Sequence, residues 1–131
     1  MKDNSLYSKI GESKEDYLEA ILELEKDNDV VRSIDLANYL NYSRPSISRA
    51  IHILQEDGFI LIHKNRTFSL TADGRKIAKS IYNRRTFFTN LLIKSGVSVE
   101  HAEMDAKKME HSISSKSFDQ LRMYIEDLEQ N

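Results

Sequence analysis

Residues 41–54, with the sequence NYSRPSISRAIHIL, constrain the fold of this chain more than any other stretch. Ser43 is a strong helix N-cap, because its hydroxyl can accept hydrogen bonds from the free amides of the first turn. Pro45 suits that turn, where its missing N–H costs nothing. Apolar side chains then recur at i, i+3, i+4 and i+7, which predicts one buried face: Ile47, Ala50, Ile51 and Leu54. The stretch therefore predicts a short, capped helix with one apolar and one polar face.

The residues around this helix, called the reading helix below, complete a known arrangement. A second short helix is predicted just before it, over residues 33–40, with Ser33 as its cap. The Asn41-Tyr42 connection between them is as short as the turn of a helix-turn-helix. Gly58 is a natural C-terminal breaker. Two β-rich runs then flank a polar turn: residues 59–63 and 67–70. Helix, helix and hairpin in this order predict a winged helix-turn-helix.

The polar face of the reading helix suggests a nucleic-acid partner. Its front carries hydroxyls and cations but no carboxylate before Glu56, which suits phosphates and base edges. The whole chain has a net charge of −2, but local charge decides a DNA footprint. Since winged helices also serve as protein-interaction modules, that function stays open as an alternative. We expect nine residues to contact DNA: Arg32, Ser43, Arg44, Pro45, Ser46, Ser48, Arg49, Lys64 and Arg66.

The remainder of the chain predicts further amphipathic helices: one opened by Ser13, one over residues 73–95, one from Ser98 to about Ile113, and one capped by Ser117. Their apolar faces exceed what one small domain needs to bury, and such a surplus usually forms a subunit interface. The sequence therefore predicts a mostly α protein in two parts. A winged helix-turn-helix with a short β-hairpin wing covers residues 1–73, and a helical linker and dimerisation region covers residues 74–131.

Several classes of protein are disfavoured by composition. Cysteine is absent, which excludes disulfides, thiolate metal sites and thiol nucleophiles. Residues 1–5 hold no apolar signal segment and no run is long enough to span a bilayer, so we expect a cytoplasmic protein with no membrane partner. Neither a Gly-rich phosphate loop nor a Ser-His-Asp arrangement supports an enzyme. One enzyme alternative, a metallohydrolase, uses the following residues: Asp16, Glu19, Glu110 and His111.

Four stretches carry a family resemblance: residues 15–21, 43–48, 70–78 and 110–114. In this order they resemble the metal-dependent repressors of the diphtheria toxin repressor group, most closely its manganese transport regulator branch. The resemblance runs without gaps from Glu15 to Glu126. It does not include the SH3-like domain that the larger iron-responsive members carry. It implies a homodimeric, sequence-specific repressor of transcription whose regulatory metal is Mn²⁺ or Fe²⁺. A two-fold dimer implies a near-palindromic operator in double-stranded DNA.

The resemblance also implies a metal site, with ligands at four positions that match: Asp16, Glu19, Glu110 and His111. Two further ligand positions of the family fall on Arg85 and Lys107, which are cations without a free lone pair. We therefore expect these two cations to replace the metals and no cofactor to be bound. Plain loss of the site and a residual one-metal site remain alternatives.

Overall fold

The computed structural model describes the backbone of residues 3–131 and the side chains of residues 14–131. Its helices and strands follow in this order: α1 (Asp3–Glu25), α2 (Ser33–Leu40), α3 (Arg44–Glu56), β1 (Ile60–Ile62), β2 (Phe68–Leu70), α4 (Ala72–Lys94), α5 (Val99–Met109) and α6 (Ser115–Gln130). The chain divides into two compact units, residues 1–80 and 81–131. The mostly helical architecture, with a winged helix-turn-helix ahead of a helical region, confirms the predicted fold class.

The first unit is built around the apolar faces of α1, α2 and α3. Leu36 on α2 and Ile47 on α3 are fully buried, as the helical periodicity predicts. The hairpin closes this core from one side, with Ile60 paired to Leu70 and Ile62 paired to Phe68 in antiparallel register. These pairings alternate with outward-facing residues, so one face of the hairpin packs on the helices. The helix-turn-helix and its wing thus share one core.

The second unit packs α5 and α6 against the α4 residues that it contains. Phe88, Ala106 and Phe118 form its buried centre, and the rings of Phe88 and Phe118 meet edge to face at 5.7 Å. Ala102 is also fully buried. Part of the apolar surface that the sequence assigns to a subunit interface is therefore used within the protomer. The large apolar side chains left exposed in this unit are Tyr82, Ile93, Val99, Met104, Met123, Tyr124 and Leu128.

Two glycines end helices as the sequence predicts. Gly58 follows α3 with φ +84°, and Gly96 follows α4 with φ +107°. A side chain is strained in this left-handed region, whereas glycine enters it freely. The amide of Gly96 donates to the Ile93 carbonyl, which closes the last turn of α4. These two positions fix where α3 and α4 stop.

The predicted helix starts are less accurate. Helix α1 begins at Asp3 and not at Ser13, because nothing between them, such as a proline, stops the helix. The N-cap of α2 is Arg32 and not Ser33, and the Arg32 amide donates to the Asp35 carboxylate at 3.0 Å. A carboxylate at the third helical position can thus accept from a free amide at the start of the helix, and no serine cap is needed.

The joint between α5 and α6 also differs from the expectation. Helix α5 ends at Met109 and not near Ile113, and α6 is capped by Ser114 and not by Ser117. The Ser114 hydroxyl accepts from the Ser117 amide at 3.2 Å, so the cap acts one turn earlier than predicted. Two carbonyls of the joint, those of Glu110 and Ile113, accept from the Arg84 side chain.

Candidate nucleic-acid interface and buried ion pair

The N-terminus of α3 is organised by Ser43. Its Oγ accepts from the Ser46 amide at 3.3 Å and donates to the Ser46 hydroxyl at 2.9 Å, which confirms the predicted cap. Pro45 lies in the first turn, and that turn contains no acidic residue. The first turn of α3 therefore offers amide hydrogens and the Arg44 cation without a competing carboxylate.

The two faces of α3 differ sharply in exposure. Ile47, Ile51 and Leu54 are buried in the core of the first unit. The nine sequence-derived DNA candidates are exposed, except for Ser46, which is half-buried. Those on α3 lie in its first two turns, and Lys64 and Arg66 lie in the hairpin turn. All nine belong to the first unit.

The hairpin turn is held by Asn65. Its Oδ1 accepts from the Thr67 amide at 3.2 Å and from the Thr67 hydroxyl at 2.6 Å. The Arg66 amide donates to the His63 carbonyl at 3.0 Å. This turn places Arg66 at φ +67°, a left-handed conformation that arginine rarely adopts. The wing therefore carries its cation at a position that glycine or asparagine would fill with less strain.

A groove of about 320 Å³ separates α3 from the hairpin. It is lined by Ser33, Ser48, Ile51, His52, Ile62, Arg66 and Phe68. The Gln55 side chain spans from α3 to the hairpin, where its Oε1 accepts from the Ile62 amide at 2.8 Å. His52 shares the polar face with Arg49, three residues before it, but is not among the nine DNA candidates. Gln55 is not among them either, and its partner depends on the tertiary fold.

On its other flank, α3 lies beside two tyrosines. The rings of Tyr17 on α1 and Tyr42 in the turn meet edge to face, with centroids 5.7 Å apart. Burial raises the pKa of Tyr17, Tyr42 raises it further, and the Arg49 charge acts in the opposite direction. Tyr17 therefore stays neutral near pH 7, and the guanidinium of Arg49 is close enough for its charge to act on the Tyr17 hydroxyl.

In the second unit, Arg85 and Glu110 form a two-pronged ion pair. The Arg85 Nε donates to one carboxylate oxygen of Glu110 at 2.6 Å, and its Nη2 donates to the other at 3.1 Å. Glu110 has no solvent exposure, whereas the Arg85 side chain is 30% exposed. A planar guanidinium matches both oxygens of a carboxylate, so this geometry favours a strong pair. The imidazole of His111 lies 3.8 Å from the same carboxylate.

The neighbouring residue, Arg84, donates hydrogen bonds to the segment that joins α5 and α6. Its Nη1 donates to the carbonyls of Glu110 at 2.9 Å and Ile113 at 2.7 Å. Its Nη2 donates to the Ser115 hydroxyl at 2.8 Å, and the guanidinium lies over the Phe118 ring. Two consecutive arginines of α4 thus hold the main chain and the side chain of Glu110.

Lys107 takes a different position from Arg85. It is exposed and forms no hydrogen bond or ion pair with any side chain that the structure describes. Together with Arg85 it lines an open groove of about 460 Å³ between α4 and α5. Glu103 and Met104 lie on the α5 side of the groove. Within this unit, only Arg85 of the two predicted cations is bonded to Glu110.

Within the second unit, a cation already engages the candidate metal ligand Glu110. Both oxygens of Glu110 already accept from a cation, and neither Arg85 nor Lys107 can coordinate a metal in its charged form. Asp16 and Glu19 are in the first unit, on α1, where Asp16 is half-buried and Glu19 is buried. Asp16, Glu110 and His111 keep carboxylate and imidazole groups, which are the ligand types such a metal takes.

Across the described residues, no helix is both long and apolar enough to cross a lipid bilayer.

Comparison with known proteins gives consistent matches over nearly the whole chain. Residues 9–68 match the N-terminal DNA binding domain of the iron dependent repressors, and residues 71–131 match their metal binding and dimerisation domain. The transcriptional regulator MntR of Escherichia coli O6:H1 is 33% identical over 112 residues, which are 86% of this chain and 72% of that protein. The HTH-type transcriptional regulator MntR of Bacillus velezensis is 32% identical, over 88% of this chain and 83% of that protein.

The fold has close counterparts among solved structures. The manganese regulator SloR superposes with a TM-score of 0.75 at 24% identity, over 86% of this chain and 53% of the SloR chain. This chain therefore spans about half the length of SloR, and at that identity the match supports the fold alone. The domain matches and the MntR relatives together show that the chain belongs to the iron-dependent repressor family of DNA-binding transcriptional regulators.

Proposed function

We propose that this protein is a homodimeric, sequence-specific DNA-binding repressor, acting in the cytoplasm, that keeps its DNA-binding form without Mn²⁺ or Fe²⁺. The observation that carries the metal-independent part is the two-pronged bond between Arg85 and the buried carboxylate of Glu110. The family membership and the exposed cations of α3 and the wing support the DNA-binding part.

The electrostatics of the pair support the metal-independent part of the proposal. Two unit charges about 4 Å apart attract by about 4 kcal/mol at an effective dielectric near 20, before desolvation reduces the net. Glu110 is buried, so its charged form needs a positive partner in the folded state. Arg85 is a partner that the chain carries permanently, whereas a metal is a partner only when it is available.

The same charges oppose a metal. A divalent ion that approaches Glu110 has to displace the Arg85 guanidinium and then remain near it. Lys107, which lines the same groove as Arg85, adds a second positive charge. Metal affinity is therefore expected to fall by several orders of magnitude relative to a site with neutral or anionic ligands at these two positions.

The family's dimerisation domain and the exposed apolar residues of α5 and α6 support a homodimer. In a two-fold dimer the two copies of α3 would read half-sites about 34 Å apart, or multiples of that distance. The operator is then a near-palindrome. Of the nine candidate residues, the six at the start of α3 face base edges and the two in the wing, Lys64 and Arg66, contact phosphates, while Arg32 lies at the N-terminus of α2.

A residual single-metal site is the second candidate, because four positions of the family's metal site keep ligand-type side chains: Asp16, Glu19, Glu110 and His111. It requires the Arg85 side chain to leave Glu110. Calorimetry with Mn²⁺ and Fe²⁺ separates the two. Weak or absent binding supports the ion-pair proposal, whereas micromolar binding supports the residual site and contradicts that proposal.

The DNA-binding part is tested by a salt titration on duplexes that the protein selects from a random pool. A DNA-binding regulator loses affinity steeply as salt rises, since it releases counterions from the phosphates. A protein-interaction module on the same fold selects no duplex and shows no such dependence. That result would contradict the proposed function whatever the metal behaviour.

A further inference from the structure

The first turn of α4 lies directly against the backbone that leaves α3. A Cβ added at Gly74 would overlap the carbonyl oxygen of Phe59 and lie 2.9 Å from its carbonyl carbon. Because the obstacle is main chain and not a flexible side chain, only a shift of one of the two segments makes room for it. Glycine at this position therefore allows α4 to start this close to the end of the reading helix.

Thr71, the residue before α4, bonds the same two segments together. Its amide donates to the Phe59 carbonyl at 3.0 Å, and its hydroxyl donates to the Gly58 carbonyl at 2.7 Å. The hydroxyl also accepts from the Gly74 amide at 3.1 Å, as a helix cap does. The Phe59 amide donates to the Leu54 carbonyl at 2.9 Å, which continues the series of bonds into α3. The start of α4 is thus tied to the end of the reading helix.

Glu25, at the end of α1, adds a further set of bonds. One of its carboxylate oxygens pairs with the Arg75 guanidinium at 2.9 Å, and the other accepts from the Leu70 amide at 3.3 Å. The Glu25 side chain is only 14% exposed, so salt screens this pair less than it screens a fully exposed pair. Leu70 ends β2, and Arg75 lies near the start of α4. One carboxylate therefore links α1, the wing and α4.

These contacts form the α4 anchor, made by Glu25, Thr71, Gly74 and their partners. Helix α4 continues without a break to Lys94, and residues 71–131 match the metal binding and dimerisation domain of the family. In a two-fold dimer, a rotation of α3 about the start of α4 changes the distance between the two reading helices. An anchor that resists this rotation holds that distance constant.

We propose that the α4 anchor makes this protein selective for the number of base pairs between the two half-sites of its operator, with Glu25, Thr71 and Gly74 as positioning residues. The inference rests on the proposed homodimeric DNA-binding function and goes beyond it. Each added base pair moves one half-site by about 3.4 Å and turns it by about one tenth of a turn. A dimer with rigidly held reading helices follows such a change only if the duplex deforms. The anchor acts through the position of α3 and not through a contact with DNA.

The first test compares the affinity of the full chain for the duplex that it selects and for duplexes with one base pair added to or removed from the spacer. For the wild type each change should cost at least about tenfold, since the duplex has to deform. Glu25→Gln loses the pair with Arg75 but keeps an oxygen for the Leu70 amide. This variant should bind the selected duplex within about threefold of the wild type, and its penalty for an altered spacer should fall to about threefold or less.

The matched control is Asp57→Asn, which makes the same carboxylate-to-amide change within the first unit and breaks the pair with Lys14 at 2.8 Å. That pair joins α1 to the end of α3 and does not include α4, so the spacer penalty should stay as in the wild type. Arg75→Gln should reproduce the effect of Glu25→Gln, and the double variant should go no further than either single variant.

The second test selects duplexes from a random pool. Gly74→Ala forces α4 away from Phe59, so it should select other spacer lengths, or a broader set of them, with the same half-site bases. Thr71→Val removes the two hydroxyl bonds with little change in volume and should also broaden the set. If circular dichroism shows that Gly74→Ala is unfolded, Thr71→Val and Glu25→Gln decide the result. Wild-type spacer selectivity in both of these variants overturns the inference.

Other outcomes separate this inference from the function on which it rests. A wild-type protein that binds every spacer equally well has a flexible connection, which overturns the inference but not DNA binding. Variants that lose the same affinity for the selected duplex, for the altered spacers and for a single half-site show a structural role only, which also overturns it. A wild-type protein that selects no duplex overturns the proposed function and the inference together.

Discussion

Arg85 on α4 bonds to both carboxylate oxygens of Glu110, a residue with no solvent exposure. The pair joins α4 to the end of α5, and it occupies two positions at which the family resemblance implies metal ligands. This relationship is the basis for our proposal that an internal cation replaces the external metal in this family member. It also makes direct predictions about stability.

Arg85→Met leaves the Glu110 carboxylate buried without its guanidinium. We expect this change to lower the free energy of unfolding by about 3 kcal/mol, because a buried carboxylate that loses its guanidinium partner is costly. Arg85→Met combined with Glu110→Gln should recover part of the loss. Urea unfolding at one fixed protein concentration measures both. The control is Lys94→Met, which breaks an exposed pair with Glu129 and should cost at most about 1 kcal/mol. Equal losses in the two single variants would show that the buried pair has no special role.

Ser43 and Ser48 are both on α3 or at its edge, but only Ser43 caps the helix. Ser43→Ala should lower the free energy of unfolding by about 1 kcal/mol, since the Ser46 amide loses its acceptor. Ser48→Ala should stay within about 0.5 kcal/mol of the wild type. Thermal and urea unfolding compare them. A larger loss for Ser48→Ala would mean that Ser48 has a structural partner.

Tyr17 gives the stability a dependence on alkaline pH. Its pKa is raised above the ordinary value of 10.0 chiefly by burial, so the folded state holds the phenolic proton more tightly than the unfolded state. The stabilisation is complete below pH 10.0 and is lost as the pH rises through the folded pKa. The fall in unfolding free energy above that pH should therefore be smaller in Tyr17→Phe. Parallel curves for the Tyr17 variant and the wild type would exclude this role.

The exposed apolar residues of α6 are expected to form part of the dimer. Leu128→Lys places a charge on that surface and should shift the protein to monomer in sedimentation experiments. Leu61→Lys is the matched control, because Leu61 is equally apolar and about as exposed but lies on the wing. If the Leu61 variant dissociates while the Leu128 variant stays dimeric, the interface lies in the first unit.

The sequence was informative where a single residue decides the local backbone. The cap at Ser43 and the glycines at 58 and 96 act through their own conformation or their nearest amides, so spacing alone predicts them. Periodicity likewise predicts the buried face of α3, because burial follows the helical repeat.

The parts that the sequence did not predict depend on distant partners. Arg84 bonds to the carbonyls of Glu110 and Ile113 at the joint where α5 ends, 26 and 29 residues away. Gln55 reaches the Ile62 amide only because the hairpin folds back over α3. The resemblance grouped Arg85 with Lys107, but side-chain geometry separates them within the second unit, since only Arg85 is bonded to Glu110.

The most direct test of the central claim is DNA affinity measured by fluorescence anisotropy with and without a chelator. With the wild-type protein and a duplex that it selects, EDTA should leave the dissociation constant unchanged, and added Mn²⁺ should not tighten it. Arg85→His combined with Lys107→Glu removes both cations and should make binding metal-dependent, with at least about tenfold loss in EDTA. Binding of the wild-type protein that is abolished by EDTA and restored by Mn²⁺ would contradict the account.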